Sequence, residues 1–190
     1  MLKYKKKGKN KLKVFFSGAQ GTGKSTLNKQ FCEKYKEFKS IDSVSELFAK
    51  DRDTFKDPSK LLKFQTEIAL YCSGEYIKDY ENLISSRGFA DMYAYNRYSA
   101  SRSNNRIYNL LMDTAQMLQI EFLKDSKVIY FPIMFDLEGK PLRSKDKDFQ
   151  QEIDTYIREF FYSTSTQFYQ IETLDNRLVE IESYIFKREN

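Results

Sequence analysis

Apolar and polar positions follow two rhythms along this chain, and the rhythm switches repeatedly. One rhythm is a short unbroken run of β-branched and aromatic residues. "KVFFSGA" (Lys13–Ala19) is such a run, and it ends in glycine, as a buried strand entering a loop does. "NLISS" (Asn82–Ser86), "KVIYFPI" (Lys127–Ile133) and "QFYQIE" (Gln167–Glu172) read the same way, with a shorter strand near Ser40–Ser43. The other rhythm is helical. Leu27, Phe31 and Tyr35 fall four apart after Ser25, on one face of a helix. Pro58 and Ser59 open a second helical segment, in which Leu62, Gln65, Ile68, Ala69 and Cys72 form a stripe. Residues 89–98, 104–124, 148–161 and 176–188 continue the helical series.

Strands alternating with helices from end to end predict a parallel sheet covered on both faces, the α/β class. The sequence holds no internal repeat and no break in composition. One domain over residues 13–190, preceded by a basic leader at 1–12, accounts for the whole pattern.

Composition narrows the chemistry. A chain of 190 residues buries enough apolar surface to need no metal or disulfide staple. Sixteen Phe and fourteen Tyr supply core material where aliphatic residues are few. Cys32 and Cys72 share no metal-ligand spacing and read as free, buried thiols of a cytoplasmic protein. The chain has no histidine, which removes histidine-based zinc sites and every histidine general base. No run of about eighteen apolar residues predicts a membrane span, and the leader lacks the apolar stretch and cleavage site of a secretory signal. The net charge of +5 owes much to the leader's lysines. That leader reads as a solvated extension; attraction to nucleic acid or phosphate surfaces is the alternative.

The stretch "GAQGTGKST" (Gly18–Thr26) matches G-x-x-x-x-G-K-[ST], with Gly18, Gly23, Lys24 and Ser25 in the fixed positions. Glycines such as Gly21 and Gly23 let the backbone curl so that successive N–H groups point inward at an anion. The following helix turns its positive end toward the same anion. Lys24 then reaches the β- and γ-phosphates, Ser25 ligates Mg²⁺, and Thr22 and Thr26 complete the cradle, Thr26 at the α-phosphate. The motif follows a predicted strand and opens a predicted helix. The anion it implies is the triphosphate of a nucleotide, ATP, with Mg²⁺ as the metal.

Four segments in order, "VFFSGAQGTGKSTL", "SSRGFADMYAYNRY", "VIYFPI…GKPLRSKDKDFQQEIDTYIREFF" and "YQIETLDNRLVEIESYI", resemble the small phosphate-loop (P-loop) kinases related to the nicotinamide riboside kinase domain of the bifunctional NAD-biosynthesis regulator. That group, also described as an AAA-type ATPase domain, lies near thymidylate and deoxynucleoside kinases, and many members come from bacteria and phages. The resemblance runs from about Lys13 to about Ile185. It implies a P-loop NTPase fold with a five-stranded parallel sheet in order 2-3-1-4-5. It also implies a nucleoside or nucleotide acceptor beside the loop, an arginine-bearing lid at 134–146, and relatives that pair as homodimers.

Carried over residue by residue, the resemblance makes Asp42 the acid that contacts the acceptor hydroxyl, with Glu46 one turn later; an N-cap is the plainer role for Asp42. Gln65 lies on the helix that lines the base pocket. Where the group usually reads Asp-Arg after its third strand, this chain reads Ser86-Arg87. Arg87 matches and is expected to bind acceptor or transferred phosphate; Ser86 departs from the pattern, and Mg²⁺ organisation is the function it puts in doubt. Asp91 matches and is expected to support Arg87, a surface helix acid being the alternative. Arg143 is the lid residue expected to stabilise transition-state charge, ahead of Lys140 and Lys145.

Three readings remain open at this level. The first is an ATP-dependent kinase of a nucleoside, nucleotide or similar small hydroxyl compound. The second is a kinase of nucleic-acid ends or modified DNA bases, to which the leader and the two arginines of "SASRSNNR" (Ser99–Arg106) belong. The third is a nucleotide-binding switch without turnover, motivated by Ser86. No Asn-Lys-x-Asp guanine signature and no apolar strand ending in Asp-Glu supports a GTPase or motor.

Overall fold

A computed structural model describes residues 11–42, 44, 48, 57–103, 125–134 and 146–187. Five strands form one sheet: β1 (Leu12–Ser17), β2 (Lys39–Ile41), β3 (Asn82–Ser85), β4 (Ser126–Tyr130) and β5 (Tyr169–Gln170). Every pairing is parallel and the order is β2-β3-β1-β4-β5. The described helices are α1 (Lys24–Lys34), α2 (Pro58–Tyr76), α3 (Phe89–Ser103), α4 (Lys147–Ser163) and α5 (Arg177–Phe186).

Alternation along the strands divides the core in two. Phe15, Leu83, Val128 and Tyr130 point to one face, where α2, α3 and α4 pack through Ile68, Ala94, Ile157 and Phe160. Val14, Phe16, Ile84 and Ile129 point to the other, against Leu27 and Phe31 of α1 and Ile181 and Ile185 of α5. Helices therefore cover both faces, as a fully buried parallel sheet requires. On the first face Phe15 meets Tyr76 edge-on at 4.8 Å and Phe89 at 5.2 Å. Such aromatic pairs add about 0.5–1.5 kcal/mol each beyond their buried area.

Element ends differ from the sequence expectation for local reasons. The strand expected over 127–133 stops at Tyr130, where its register partner Ser17 ends β1 and the chain turns into the glycine loop. Phe131 still donates to the Ser17 carbonyl, but Pro132 has no N–H to continue the ladder. The strand expected over 167–172 is reduced to Tyr169–Gln170, because as an edge strand it pairs with β4 alone. Strand β2 ends at Ile41, level with Ser85, rather than at Ser43. The first strand starts at Leu12, one residue inside the expected leader. Cys72 is buried as expected, whereas Cys32 is only half-buried. The expected helix at 104–124, residues 1–10 of the leader, and the lid segment from 135 to 145 lie outside the described residues.

Candidate active site

The carboxyl ends of β2, β3 and β1 lie side by side, and Asp42, Ser86, Arg87 and the glycine loop sit there because each follows one of those strands. In open α/β sheets this edge is where ligands bind. Beyond β1 the chain turns through Gly18–Gly23 and enters α1 at Lys24. Gly23, the N-cap, has φ +88 and ψ 5, in the left-handed region. Gly23 has no side chain with which to cap the first amides of α1, and the first turn carries no acid. The donor end of the helix is thus left to an external anion. These residues fit a polyphosphate.

Inside the loop, the Lys24 ammonium donates to the carbonyls of Gly18 (2.5 Å) and Ala19 (2.7 Å) and to the Thr22 hydroxyl (3.3 Å). Thr22 is buried, and its own hydroxyl donates to the Ala19 carbonyl at 2.9 Å. It braces the curl from within. Ser25 is half-buried and Thr26 exposed.

Asp91, in the first turn of α3, is 1% exposed and is not a surface acid. Its Oδ1 accepts from the Gly18 amide at 3.2 Å and lies 3.8 Å from the Lys24 ammonium. Its Oδ2 accepts from the Gly88 amide at 3.1 Å, closing the start of α3 as the third residue of a capping box does. Burial pushes the Asp91 carboxyl above its ordinary value, against the opposing pull of Lys24 and Arg87.

Arg87 leaves β3 half-buried. Its Nη1 donates to Gln65 Oε1 at 3.1 Å, and its guanidinium stands 4.6 Å from the centre of the Tyr95 ring. Its carbonyl is held by the Ser85 hydroxyl at 2.8 Å and by the buried Tyr76 hydroxyl. Gln65 is 4% exposed on α2. Arginine offers only donors, so the Gln65 oxygen is committed to it, and the amide N–H groups are the end left for a ligand. Asp42, just past β2, accepts at Oδ1 from the Ser86 hydroxyl. Glu46 and Arg143 lie outside the described residues, as do Lys140 and Lys145.

Three further residues reach the loop without any signal in the motif. Tyr95 donates to Gln20 Oε1 at 2.9 Å, and Gln150 of α4 donates to the Gln20 carbonyl at 2.7 Å. Arg177, the first residue of α5, donates to the Thr22 carbonyl at 3.3 Å. Its guanidinium lies so close over Gly23 that a Cβ there would meet Nη1 at 2.5 Å.

The chain shares this fold with solved P-loop kinases. The deoxyadenosine kinase from M. mycoides with bound dATP superposes with a TM-score of 0.70 at 18% identity, over 90% of this chain and 97% of that one. Thymidylate kinase from Ehrlichia chaffeensis gives 0.54 at 15% identity, over 90% and 96% of the two chains. Shikimate kinase from Acinetobacter baumannii in complex with shikimate gives 0.52 at 14% identity, over 94% and 93%. At these identities the likeness is one of fold. No family model and no curated protein matches the sequence. Among the described residues, no helix is long and apolar enough to cross a membrane, and no cluster of metal-ligating side chains occurs.

Proposed function

We propose that this chain is an ATP-dependent kinase that transfers the γ-phosphoryl group to a small hydroxyl acceptor of the nucleoside or nucleotide class. The observation that carries the reading is the convergence, at one sheet edge, of an uncapped glycine loop with its lysine and, one and two strands away, Arg87–Gln65 and Asp42. In this reading the amides at 18–26 and Lys24 bind the triphosphate. Lys24 leaves its loop carbonyls to do so, and Asp91 keeps the ammonium within reach. Ser25 is the metal ligand, and Mg²⁺, when bound, neutralises charge on the β- and γ-phosphates. Asp42 takes the acceptor proton, Arg87 holds the acceptor or the transferred group, and Gln65 donates to the acceptor's base edge. Arg143 and Glu46 keep the lid and acceptor roles that the resemblance implies.

The neighbours in fold support this class: they are kinases of small molecules, and one holds dATP. Membership of the nicotinamide riboside kinase-like group, a cytoplasmic setting and pairing as a homodimer are part of the same proposal. A transfer screen with radiolabelled ATP over nucleosides, nucleoside monophosphates, nicotinamide riboside and DNA ends tests it. Labelled product from a small acceptor is the expected result. Label on DNA ends alone, with a salt-dependent Michaelis constant, moves the assignment to a nucleic-acid kinase. ATP binding with no labelled product moves it to a nucleotide switch, the reading that Ser86 favours.

A further inference from the structure

We infer that Ser86 positions Asp42, that the two together replace the strand-end acid expected at 86, and that the group they serve is a hydroxyl. The inference rests on the kinase reading above. Strands β2 and β3 are neighbours in parallel register, with Ile41 opposite Ser85. The next residue on each, Asp42 and Ser86, is therefore brought alongside. The Ser86 amide donates to the Ile41 carbonyl at 3.0 Å, which ties the two strand exits together, and the Ser86 hydroxyl donates to Asp42 Oδ1. Ser86 is itself buried. Among the described residues nothing donates to the other oxygen, Oδ2.

The chemistry of this pair explains the departure from the expected pattern. An aspartate at 86 would set a second carboxylate within hydrogen-bond reach of Asp42, and two carboxylates sharing one site resist joint ionisation. A serine turns that contact into an attraction and commits Oδ1. One oxygen remains, able only to accept. It suits an O–H donor and repels a phosphate oxygen, which points to an alcohol as the phosphoryl acceptor. Asp42 stands two strands from β1, about 10 Å at the usual strand spacing. That distance accommodates a phosphoryl group and the oxygen attacking it.

The step balances without a further reactant. The acceptor oxygen bonds to the γ-phosphorus of ATP, and the bond from that phosphorus to the β,γ-bridging oxygen breaks. The bridging oxygen leaves with the electron pair on ADP. The hydroxyl proton passes to Asp42 Oδ2 and from there to solvent.

The test compares wild type, Ser86→Ala, Ser86→Thr and Ser86→Asp. Labelled transfer is measured to nucleosides and to nucleoside monophosphates, ATP affinity by calorimetry, and folding by thermal melting. Label is expected on an alcohol oxygen. Ser86→Ala should lose about ten- to a hundredfold in kcat, the scale of a misplaced catalytic group, with ATP affinity unchanged and the acceptor KM moved far less. Ser86→Thr, which keeps the donor, should retain most of the rate. Ser86→Asp should fall at least as far as Ser86→Ala. Turnover in Ser86→Asp equal to wild type or above it overturns the inference, as does full kcat in Ser86→Ala or label found only in phosphoanhydride products, on the phosphate of the nucleoside monophosphates. Wild type and Lys24→Ala in the same assay separate the two levels. Absence of transfer to every acceptor in the wild type removes the kinase reading itself; transfer that survives Lys24→Ala takes the glycine loop, and with it this site, out of the mechanism; transfer lost there but intact in Ser86→Ala removes only the positioning role.

Discussion

Asp91 lies 3.8 Å from the Lys24 ammonium with one oxygen and holds the amide of Gly88 with the other. One buried side chain thus links the lysine of the phosphate loop to the start of α3, the helix that follows Arg87. Lys24 is the member of this link expected to move on binding, since its hydrogen bonds to Gly18, Ala19 and Thr22 are to loop oxygens that a polyphosphate would displace. Lys24→Ala should cut phosphoryl transfer by about 10²–10³-fold or more, on the scale of a lost charge-stabilising group, while its circular dichroism remains that of the wild type. Undiminished transfer would take the loop out of the mechanism.

The same carboxylate makes stability depend on pH in a defined direction. Its folded value is raised, chiefly by burial, so the unfolded chain releases this proton at lower pH than the folded one. The contribution is therefore fully present below the ordinary aspartate value of 3.8 and is lost as pH rises through the raised folded value. Urea denaturation of wild type and Asp91→Asn across the carboxylate range checks this. The stability of wild type relative to the variant should decline with rising pH and then level off. A relative stability that climbs would contradict the burial of an unfavourable charge.

Gly23 is restricted twice, by its backbone and by a neighbour. A side chain at φ +88 is strained in itself, and a Cβ would also strike the Arg177 guanidinium. Gly23→Ala should destabilise the protein by about 1–3 kcal/mol. Part of that cost should vanish in an Arg177→Ala background, where the space is open. A double-mutant cycle measures the coupling; strict additivity would mean that the guanidinium simply swings away.

Arg87→Lys is not a conservative change here. Lysine keeps the charge but loses the planar face over Tyr95 and the fork that reaches Gln65. Acceptor KM is expected to rise about tenfold, equivalent to about 1.4 kcal/mol of acceptor binding, with ATP affinity unaltered. Steady-state kinetics with each substrate varied in turn reads this directly. A matched loss of ATP affinity would place Arg87 on the nucleotide instead.

Arg143→Ala bears on the lid proposed from the resemblance. If this arginine acts on developing charge, kcat should fall far more than ATP affinity, because the contact is made mainly in the transition state. Equal losses in both would assign it to ordinary ATP binding.

Much of this protein is encoded locally. The switch between short apolar runs and three-to-four spacing depends only on which neighbouring residues share a face. That was sufficient for the alternation of strand and helix, for the parallel class and for the stripe of Leu62, Gln65, Ile68 and Cys72 that α2 buries. The glycine loop is equally local: nine consecutive residues specify its curl and the helix that follows. What the tertiary structure alone decided are meetings between distant residues. Asp42 and Ser86 join across 44 positions because β2 and β3 end level with each other, and Arg177 meets Thr22 across 155 because α5 begins at the loop. The role of Asp91 belongs with these. No spacing distinguishes a surface acid on a helix from one sealed beneath a lysine, since burial is set by what packs on top, and that is a property of the assembled layers rather than of any stretch of chain.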